Sequence, residues 1–173
     1  MTRIRLATLD DLPGIANVHI NSWHTTYKGI VAQEFIDNLT YEWSEERQTS
    51  ILRSSNKFIY VAEDMSGKIV GFASGGPERN NDPIYKGELY AIYLLEDYQR
   101  KGIGRNLLNA VIKHLHTSDI NSILILVLED NIGARSFYES LGGKIVKEGT
   151  LDLNGVKYKD IGYGWSDTSS LIS

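Results

Sequence analysis

The chain has 173 residues, 42% of them hydrophobic and 23% charged, with a formal net charge of −4. This is the composition of an ordinary soluble globular protein, and the scattered lysines and arginines form no basic patch for nucleic acid. No apolar run approaches the ~20 residues of a membrane span, and the N-terminus lacks the apolar core of a signal peptide. The absence of cysteine excludes disulfides and a cysteine nucleophile. We therefore expect a cytoplasmic protein without nucleic-acid or membrane partners.

Apolar periodicity predicts an alternation of strands and helices along the chain. In order, the predicted elements are a strand at 4–7, a helix from Leu12, helical pieces at 34–39 and 42–52, a hairpin of 58–63 and 68–74, a strand at 88–95, a helix from Ile103, a strand at 122–128, a helix after Asn131 and a hairpin of 144–151 and 156–165. The polar stretch 75–87 is predicted to be a mobile loop. At this length one domain is expected over residues 1–166, followed by a loose tail at 167–173.

The entry to the helix from Ile103 is rich in glycine and positive charge. Gly102 and Gly104 lie where the first backbone N–H groups of the helix have no acceptor within it. Without a Cβ at these positions an anion can approach the N–H groups closely, and the helix dipole attracts it. Arg100, Lys101 and Arg105 add to the attraction. The segment predicts a phosphate or diphosphate site.

The residues around the two glycines restrict the kind of phosphate ligand. A P-loop requires Gly-Lys-Ser/Thr, but Gly104 is followed by Arg105 and Asn106. A dinucleotide fingerprint requires a third glycine where this chain has Leu107. The remaining pattern, Gln99-x-x-Gly102-x-Gly104, resembles the acyl-coenzyme A signature of the GCN5-related N-acetyltransferases (GNAT). The alternative is a glycine-rich turn that only starts a helix.

A second block, Asn131-x-x-Ala134-x-x-Phe137-Tyr138-x-x-Leu141, resembles the GNAT helix that follows the fifth strand. The order of predicted elements is also similar to that family over nearly the whole chain. The resemblance implies an α/β (α+β) fold, in which helices flank a mixed, mostly antiparallel sheet of about seven strands with a central, splayed parallel pair.

The resemblance also implies that acetyl-CoA lies between the splayed strands. Its pantetheine would pair with the central strand at Ile92, Tyr93 and Leu94. Its pyrophosphate would bind the segment of Gln99, Arg100, Lys101, Gly102, Ile103, Gly104 and Arg105. The opposite wall would consist of Asn131, Ala134, Phe137 and Tyr138. A backbone N–H of the central strand would polarise the thioester carbonyl.

Transfer of acetyl to an amine requires removal of a proton from the ammonium and favours an acid near the leaving sulfur. The resemblance makes Tyr138 the candidate acid; the alternative is an aromatic packed beneath the cofactor. Glu88 lies eleven residues before Gln99, the spacing of the catalytic glutamate in histone-type members, and is the candidate base. Its alternatives are an exposed carboxylate at the strand end, or a water chain as base. Without cysteine, direct attack in a ternary complex is favoured over an acetyl-enzyme.

The acceptor site of the family is usually formed by the first helices, which here carry His19, Trp23, His24 and Tyr27. At helical spacing His19, Trp23 and Tyr27 share one face, so the alternative is a core stripe. No histidine spacing suggests a metal site, and we interpret His114 and His116 as surface residues. The segment 19–29 resembles a bacterial small-molecule branch near phosphinothricin-type acetyltransferases, whose members are often homodimers.

Three functions remain open at this point. The first is an acetyl-CoA-dependent N-acetyltransferase acting on a primary amine of a small molecule. The second is an acetyltransferase for protein N-termini, of the type that acts on ribosomal-protein alanine. The third is a non-catalytic sensor that binds acyl-CoA, which the presence of Tyr138 and Glu88 argues against.

Overall fold

A computed structural model describes residues 1–172 of the protein. Helices cover both faces of a seven-stranded sheet of order β1-β2-β3-β4-β5-β7-β6. The strands are β1 (Thr2–Leu6), β2 (Phe58–Asp64), β3 (Ile69–Pro77), β4 (Gly87–Leu94), β5 (Ile123–Leu128), β6 (Lys144–Leu153) and β7 (Val156–Trp165). The helices are α1 (Leu12–Thr26), α2 (Gln33–Asp37), α3 (Tyr41–Leu52), α4 (Ile103–His116) and α5 (Ile132–Ser140). The predicted fold class is confirmed. No helix within residues 1–172 is long and apolar enough to cross a membrane.

The sheet contains one parallel pair, β4 and β5, among antiparallel neighbours. These two strands pair only between Gly87–Leu89 and Ile123–Ile125, whereas β5 stays paired with β7 as far as Leu128. A register shift between β3 and β4, at Ser74 and Gly75, displaces β4 just beyond the paired stretch. The carboxyl-terminal halves of β4 and β5 therefore separate, which confirms the predicted splayed pair and leaves a gap in the sheet.

Two faces of the sheet carry separate apolar cores. On one face α4 buries the apolar stripe predicted from its sequence, which consists of Ile103, Leu107, Leu108, Val111, Ile112 and Leu115. Full burial of a side chain of this size contributes about 1.5–3 kcal/mol, so the stripe fixes α4 and its entry against the sheet. The opposite face is covered by α1 and α3 around Ile15, Val18 and Phe72. Beside that core lies an aromatic cluster containing Trp23, Tyr27 and Leu128.

The stretch predicted to be a mobile loop is partly strand and is hydrogen-bonded throughout. Residues 75–77 extend β3, and the following β3–β4 loop (78–86) is organised by Asp82. Its Oδ1 accepts the N–H groups of Ile84 and Tyr85, and its Oδ2 lies 3.1 Å from Lys147 Nζ on β6. A Cβ on Gly164 of β7 would lie 2.5 Å from the Tyr85 ring. The loop therefore crosses the sheet on the face covered by α1 and is tied to its far edge.

The tail also differs from expectation, and two histidines pack against neighbouring elements. Residues 167–172 are not loose, because Thr168 N–H donates to Asn121 O at 2.9 Å and Leu171 is buried; Ser173 lies outside the described residues. His116 Nε2 lies 2.7 Å from Thr168 Oγ1. His114 stacks on Phe58 with the ring centroids 3.7 Å apart, and burial lowers its pKa. Both histidines are therefore half-buried surface residues, each with one side packed against a neighbour.

Candidate active site

The entry to α4 adopts the conformation that its glycines permit. Gly102 precedes the helix in a left-handed conformation (φ +80°), which favours glycine, and Arg100 also has a positive φ of 58°. The first helical hydrogen bond joins Asn106 N–H to Gly102 O at 3.1 Å. The N–H groups of residues 102–105 therefore begin the helix without acceptors inside it. Gln99 N–H, which was predicted to join this set, instead donates to Glu96 O at 3.1 Å.

The charges around this entry favour an anion. Arg100, Lys101 and Arg105 are exposed, and within residues 1–172 none of them forms an ion pair. Lys101 Nζ lies 5.5 Å from the centre of the Tyr98 ring. A Cβ added to Gly102 would meet nothing within 4 Å, so the left-handed conformation and not crowding calls for glycine there. Unpaired cations around free N–H groups can hold a diphosphate.

The gap between the splayed ends of β4 and β5 leads away from this entry. A Cβ on Gly104 would lie 3.6 Å from Leu94 Cδ1 and 3.8 Å from Phe137 Cζ, so the entry, β4 and α5 converge there. Asn131 caps α5, with its Oδ1 accepting Ala134 N–H at 3.2 Å. The predicted cofactor residues on β4 (Ile92, Tyr93 and Leu94), at the entry and on α5 thus surround one gap. Beyond Leu89, the edge of β4 that faces β5 has no strand partner within the described residues, although the other edge stays paired with β3. A diphosphate joined to a slender chain fits this arrangement, because the chain can lie along that unpaired edge.

Tyr138 projects from α5 into the interior beside this gap. It is 4% exposed and packs against Tyr163 and Trp165, with ring centroids 5.8 and 6.4 Å away. Burial raises the pKa of its hydroxyl, and the only other influence is the neighbouring hydroxyl of Tyr27. Within residues 1–172 the Tyr138 hydroxyl has no hydrogen-bond partner. The phenol is therefore neutral near pH 7 and able to donate a hydrogen bond to a ligand.

Two further tyrosines, Tyr27 and Tyr93, lie on the α1 side of the sheet, across the gap from Tyr138. Tyr27 Oη, at the end of α1, lies 3.4 Å from Tyr93 Oη on β4. Burial raises the pKa of both hydroxyls, and polar interactions with Asn131 and Trp23 offset this only partly. The indole N–H of Trp23 is buried and makes no hydrogen bond of normal geometry, although it lies near the Tyr93 hydroxyl. The splayed strands are thus lined by neutral hydroxyl and N–H groups.

The four residues predicted to bind the acceptor are not all brought together. Trp23 and Tyr27 are in contact, with ring centroids 4.4 Å apart, whereas His24 is exposed on the outer surface of α1. His19 is buried, and its Nδ1 lies 2.7 Å from Ser44 Oγ. Burial, and secondarily the charge of Arg47, lowers the pKa of His19 to about 4. His19 is thus a neutral residue of the layer between α1 and α3.

Glu88 occupies a position unlike the exposed strand end considered above. Its side chain is 1% exposed, and its Oε1 accepts Arg79 N–H at 3.2 Å. Its Oε2 accepts Arg79 Nε–H at 3.0 Å and forms a second, short bond with Arg79 Nη2. The Arg79 guanidinium also stacks on the Tyr90 ring, 4.4 Å from its centre. Both carboxylate oxygens are therefore occupied by the β3–β4 loop, and Glu88 as base stays a prediction.

Arg79 is the part of this arrangement that sequence reasoning missed. It lies in a polar loop nine residues before Glu88, and no local pattern links the two side chains. Only the antiparallel pairing of β3 with β4, which places Pro77 opposite Gly87, returns the loop to the strand. The pairing of an exposed arginine with a buried carboxylate becomes visible only in the folded chain.

Comparison with known proteins assigns this geometry to one family. Residues 23–143 match the sequence profile of the "Acetyltransferase (GNAT) family". The chain is similar to the uncharacterized N-acetyltransferase YuaI of Bacillus subtilis, with 40% identity over 99% of this chain and 96% of that protein. It is 29% identical to a spermidine N(1)-acetyltransferase of Thermoplasma acidophilum, over 82% of this chain and 88% of that one.

A solved structure supports the same assignment. The crystal structure of PaiA N-acetyltransferase from Thermoplasma acidophilum, in complex with coenzyme A, superposes with a TM-score of 0.75. The match covers 93% of this chain and 98% of that chain at 25% identity. The family predicted from the two motifs is confirmed.

Proposed function

The chain belongs to the GNAT family of acetyltransferases, and we propose that it transfers the acetyl group of acetyl-CoA to a primary amine of a small molecule. One observation carries the proposal: the glycine entry of α4 opens into the gap between β4 and β5. The free N–H groups of residues 102–105, with Arg100, Lys101 and Arg105 around them, would bind the pyrophosphate. The pantetheine would follow the unpaired edge of β4 towards Tyr138. A relative crystallised with coenzyme A supports coenzyme A as the ligand of the fold.

The acetyl transfer would proceed by direct attack in a ternary complex. The neutral amine nitrogen attacks the thioester carbon, a C–N bond forms, the C–S bond breaks, and the nitrogen loses a proton. An N–H on the free edge of β4 would stabilise charge on the carbonyl oxygen. The pKa of a tyrosine (~10) already lies above that of a thiol (~8.5), and burial raises the pKa of Tyr138 further, so its hydroxyl stays protonated and would donate a hydrogen bond to the departing sulfur. The proton lost by nitrogen passes to water and the thiolate takes one from solvent, so that the products are the amide and the CoA thiol.

A small molecule is the proposed acceptor because the named relatives with an assigned acceptor include a spermidine acetyltransferase. The proposal includes a cytoplasmic location and a homodimer as the assembled form. Light scattering on purified protein tests the assembly independently of activity.

The deciding experiment is thiol release from acetyl-CoA across a panel of alkyl amines, amino acids, polyamines and short peptides. The chain has no cysteine, so every thiol detected comes from CoA. We expect release that depends on a small primary amine. Release driven only by peptides would replace the proposal with acetylation of protein N-termini. Tight CoA binding in calorimetry without any amine-dependent release would replace it with a sensor.

A further inference from the structure

The proposed function leaves open which group of the protein meets the charged amine. An alkyl amine is an ammonium ion near pH 7, with a pKa of about 10, so its binding favours a carboxylate. Both oxygens of Glu88 are engaged by Arg79. The acidic residues of α3, Glu42, Glu45 and Glu46, lie together at its solvent surface, whereas Ser44 faces the buried His19. Neither group supplies a free carboxylate next to the gap.

Asp160 of β7 lies on the face of the sheet that α1 and α2 cover. It pairs with Leu128 of β5, and residues directly opposite each other in antiparallel strands point to the same face. Leu128 is buried in the aromatic cluster with Trp23 and Tyr27. Tyr158, two residues before Asp160 and hence on the same face, packs against that cluster, and its Oη accepts Ala32 N–H at 2.9 Å. The register thus places Asp160 on the same face as the proposed acceptor site, one strand beyond Leu128.

The carboxylate of Asp160 has no counter-ion in the part of the chain that the structure describes. Within residues 1–172 it forms no ion pair and no hydrogen bond to another side chain. Burial raises its pKa, and a hydrogen bond from the residue's own backbone N–H offsets this only partly. Lys147, on the adjacent strand and the same face, is bound to Asp82 at 3.1 Å. Lys159 directly precedes Asp160 and therefore points to the opposite face, where its Nζ lies 3.0 Å from Glu129 Oε1.

The surroundings of Asp160 leave its carboxylate uncovered. The residue opposite it on β6 is Gly149, and a Cβ there would lie 2.8 Å from Asp160 Oδ1. The next residue on the same face of β7 is Gly162. Glycines at both positions keep side chains away from the carboxylate. Together with the buried indole N–H of Trp23, which within residues 1–172 makes no hydrogen bond of normal geometry, this face carries a carboxylate and an N–H donor for a ligand.

We propose that Asp160 binds the ammonium group of the acceptor and makes the site selective for amines that are cationic. The proposal rests on the proposed function for the identity of the acceptor site. Its substrate class is an alkyl ammonium ion whose carbon chain contacts the aromatic cluster of Trp23, Tyr27 and Tyr158.

The test compares Asp160→Asn with Glu148→Gln, which removes the same charge from the opposite face of the same hairpin. Calorimetry of the CoA-saturated protein measures binding of phenethylamine and of its neutral counterpart 2-phenylethanol, without turnover. We expect wild type and Glu148→Gln to prefer the amine. Asp160→Asn should weaken amine binding about tenfold, as expected for loss of one charge-assisted contact, and leave alcohol binding unchanged.

The possible outcomes separate this proposal from the proposed function, and a folding control accompanies them. Wild-type protein that does not prefer the amine, or Asp160→Asn that matches Glu148→Gln, overturns the role of Asp160. Amine binding that depends on Asp160 without thiol release from any amine supports the role and refutes the proposed function. An unchanged melting temperature of Asp160→Asn is expected, because within residues 1–172 no ion pair is lost and the amide oxygen can still accept the residue's own N–H; it would exclude misfolding as the cause.

Discussion

The two sides of the gap between β4 and β5 are built on different principles. On the α4 side, exposed backbone N–H groups and the cations Arg100, Lys101 and Arg105 form a surface for an anion. On the α1 side, the lining is mostly buried and aromatic, and His19, which lies behind it between α1 and α3, is held neutral by burial. A family that keeps one cosubstrate and changes acceptors needs such a division. The first side depends on a local backbone conformation, whereas the second depends on side chains from several elements.

The largest effect is expected at the cofactor side, from Gly104→Glu. A Cβ at this position fits in ordinary contact with Leu94 and Phe137, but the added carboxylate would enter the proposed path of the pyrophosphate. At about 5 Å from one phosphate charge, repulsion costs about 3 kcal/mol at an effective dielectric constant of about 20. We expect acetyl-CoA to bind at least about 100-fold more weakly in calorimetry.

Gly104→Ala is the matched control for this prediction. It tests the space without the charge, and its Cβ would lie 3.6 Å from Leu94 Cδ1. We expect its affinity for acetyl-CoA to stay within a few-fold of wild type. If Gly104→Glu and wild type bound acetyl-CoA with equal affinity, the placement of the pyrophosphate at the α4 entry would be refuted.

The next effect concerns the point where the two sides meet, at Tyr138. Tyr138→Phe should lower kcat about 100-fold, in the range expected for loss of one hydrogen-bond donor to the developing charge, with little change in acetyl-CoA affinity. The control is Tyr163→Phe, whose hydroxyl bonds to Arg135 and Glu139 away from the gap. That variant should lose stability and keep kcat. A Tyr138→Phe enzyme that turns over at the wild-type rate would return Tyr138 to a packing role.

A smaller effect is expected from the neutral histidine of the acceptor side. Burial lowers the pKa of His19 to about 4, below the ~6.5 of an unfolded chain. The unfolded state therefore binds more protons between these values, and stability falls as pH drops from 7 towards 4. The free energy of unfolding should therefore be lower at pH 5 than at pH 7 by up to about 2 kcal/mol because of His19.

Urea unfolding at pH 7 and pH 5 measures this loss. His19→Gln should show a smaller difference between the two pH values than wild type. His24→Gln, which changes an exposed histidine on the same helix, should match wild type. His114, whose pKa burial also lowers, remains in all three proteins and does not affect the comparison. An equal pH dependence of the two variants would contradict the assigned state of His19.

The same division decides how much could be predicted from the sequence. The α4 entry is local, so Gly102, Gly104 and the apolar stripe of α4 predicted its conformation and its place in the fold. The shared helical face of Trp23 and Tyr27 was also predictable. The partners of Glu88 and the free state of Asp160 were not, because Arg79 and Leu128 reach them only through strand pairing. A carboxylate in a sequence does not reveal whether the fold gives it a counter-ion.

The smallest effect is expected from Glu88→Gln, which tests the boundary between the two sides. The amide keeps the shape of the carboxylate and can still accept from the backbone N–H of Arg79, but it removes the ion pair. If Glu88 positions the β3–β4 loop, kcat should fall less than tenfold, and the pH dependence of kcat/KM should keep its form. A general base would cost 10²–10⁴-fold, by the usual range, and would remove a limb of that pH profile. Since Arg79 occupies both oxygens, we expect the smaller loss, and the larger one would make release of Arg79 a step of the reaction.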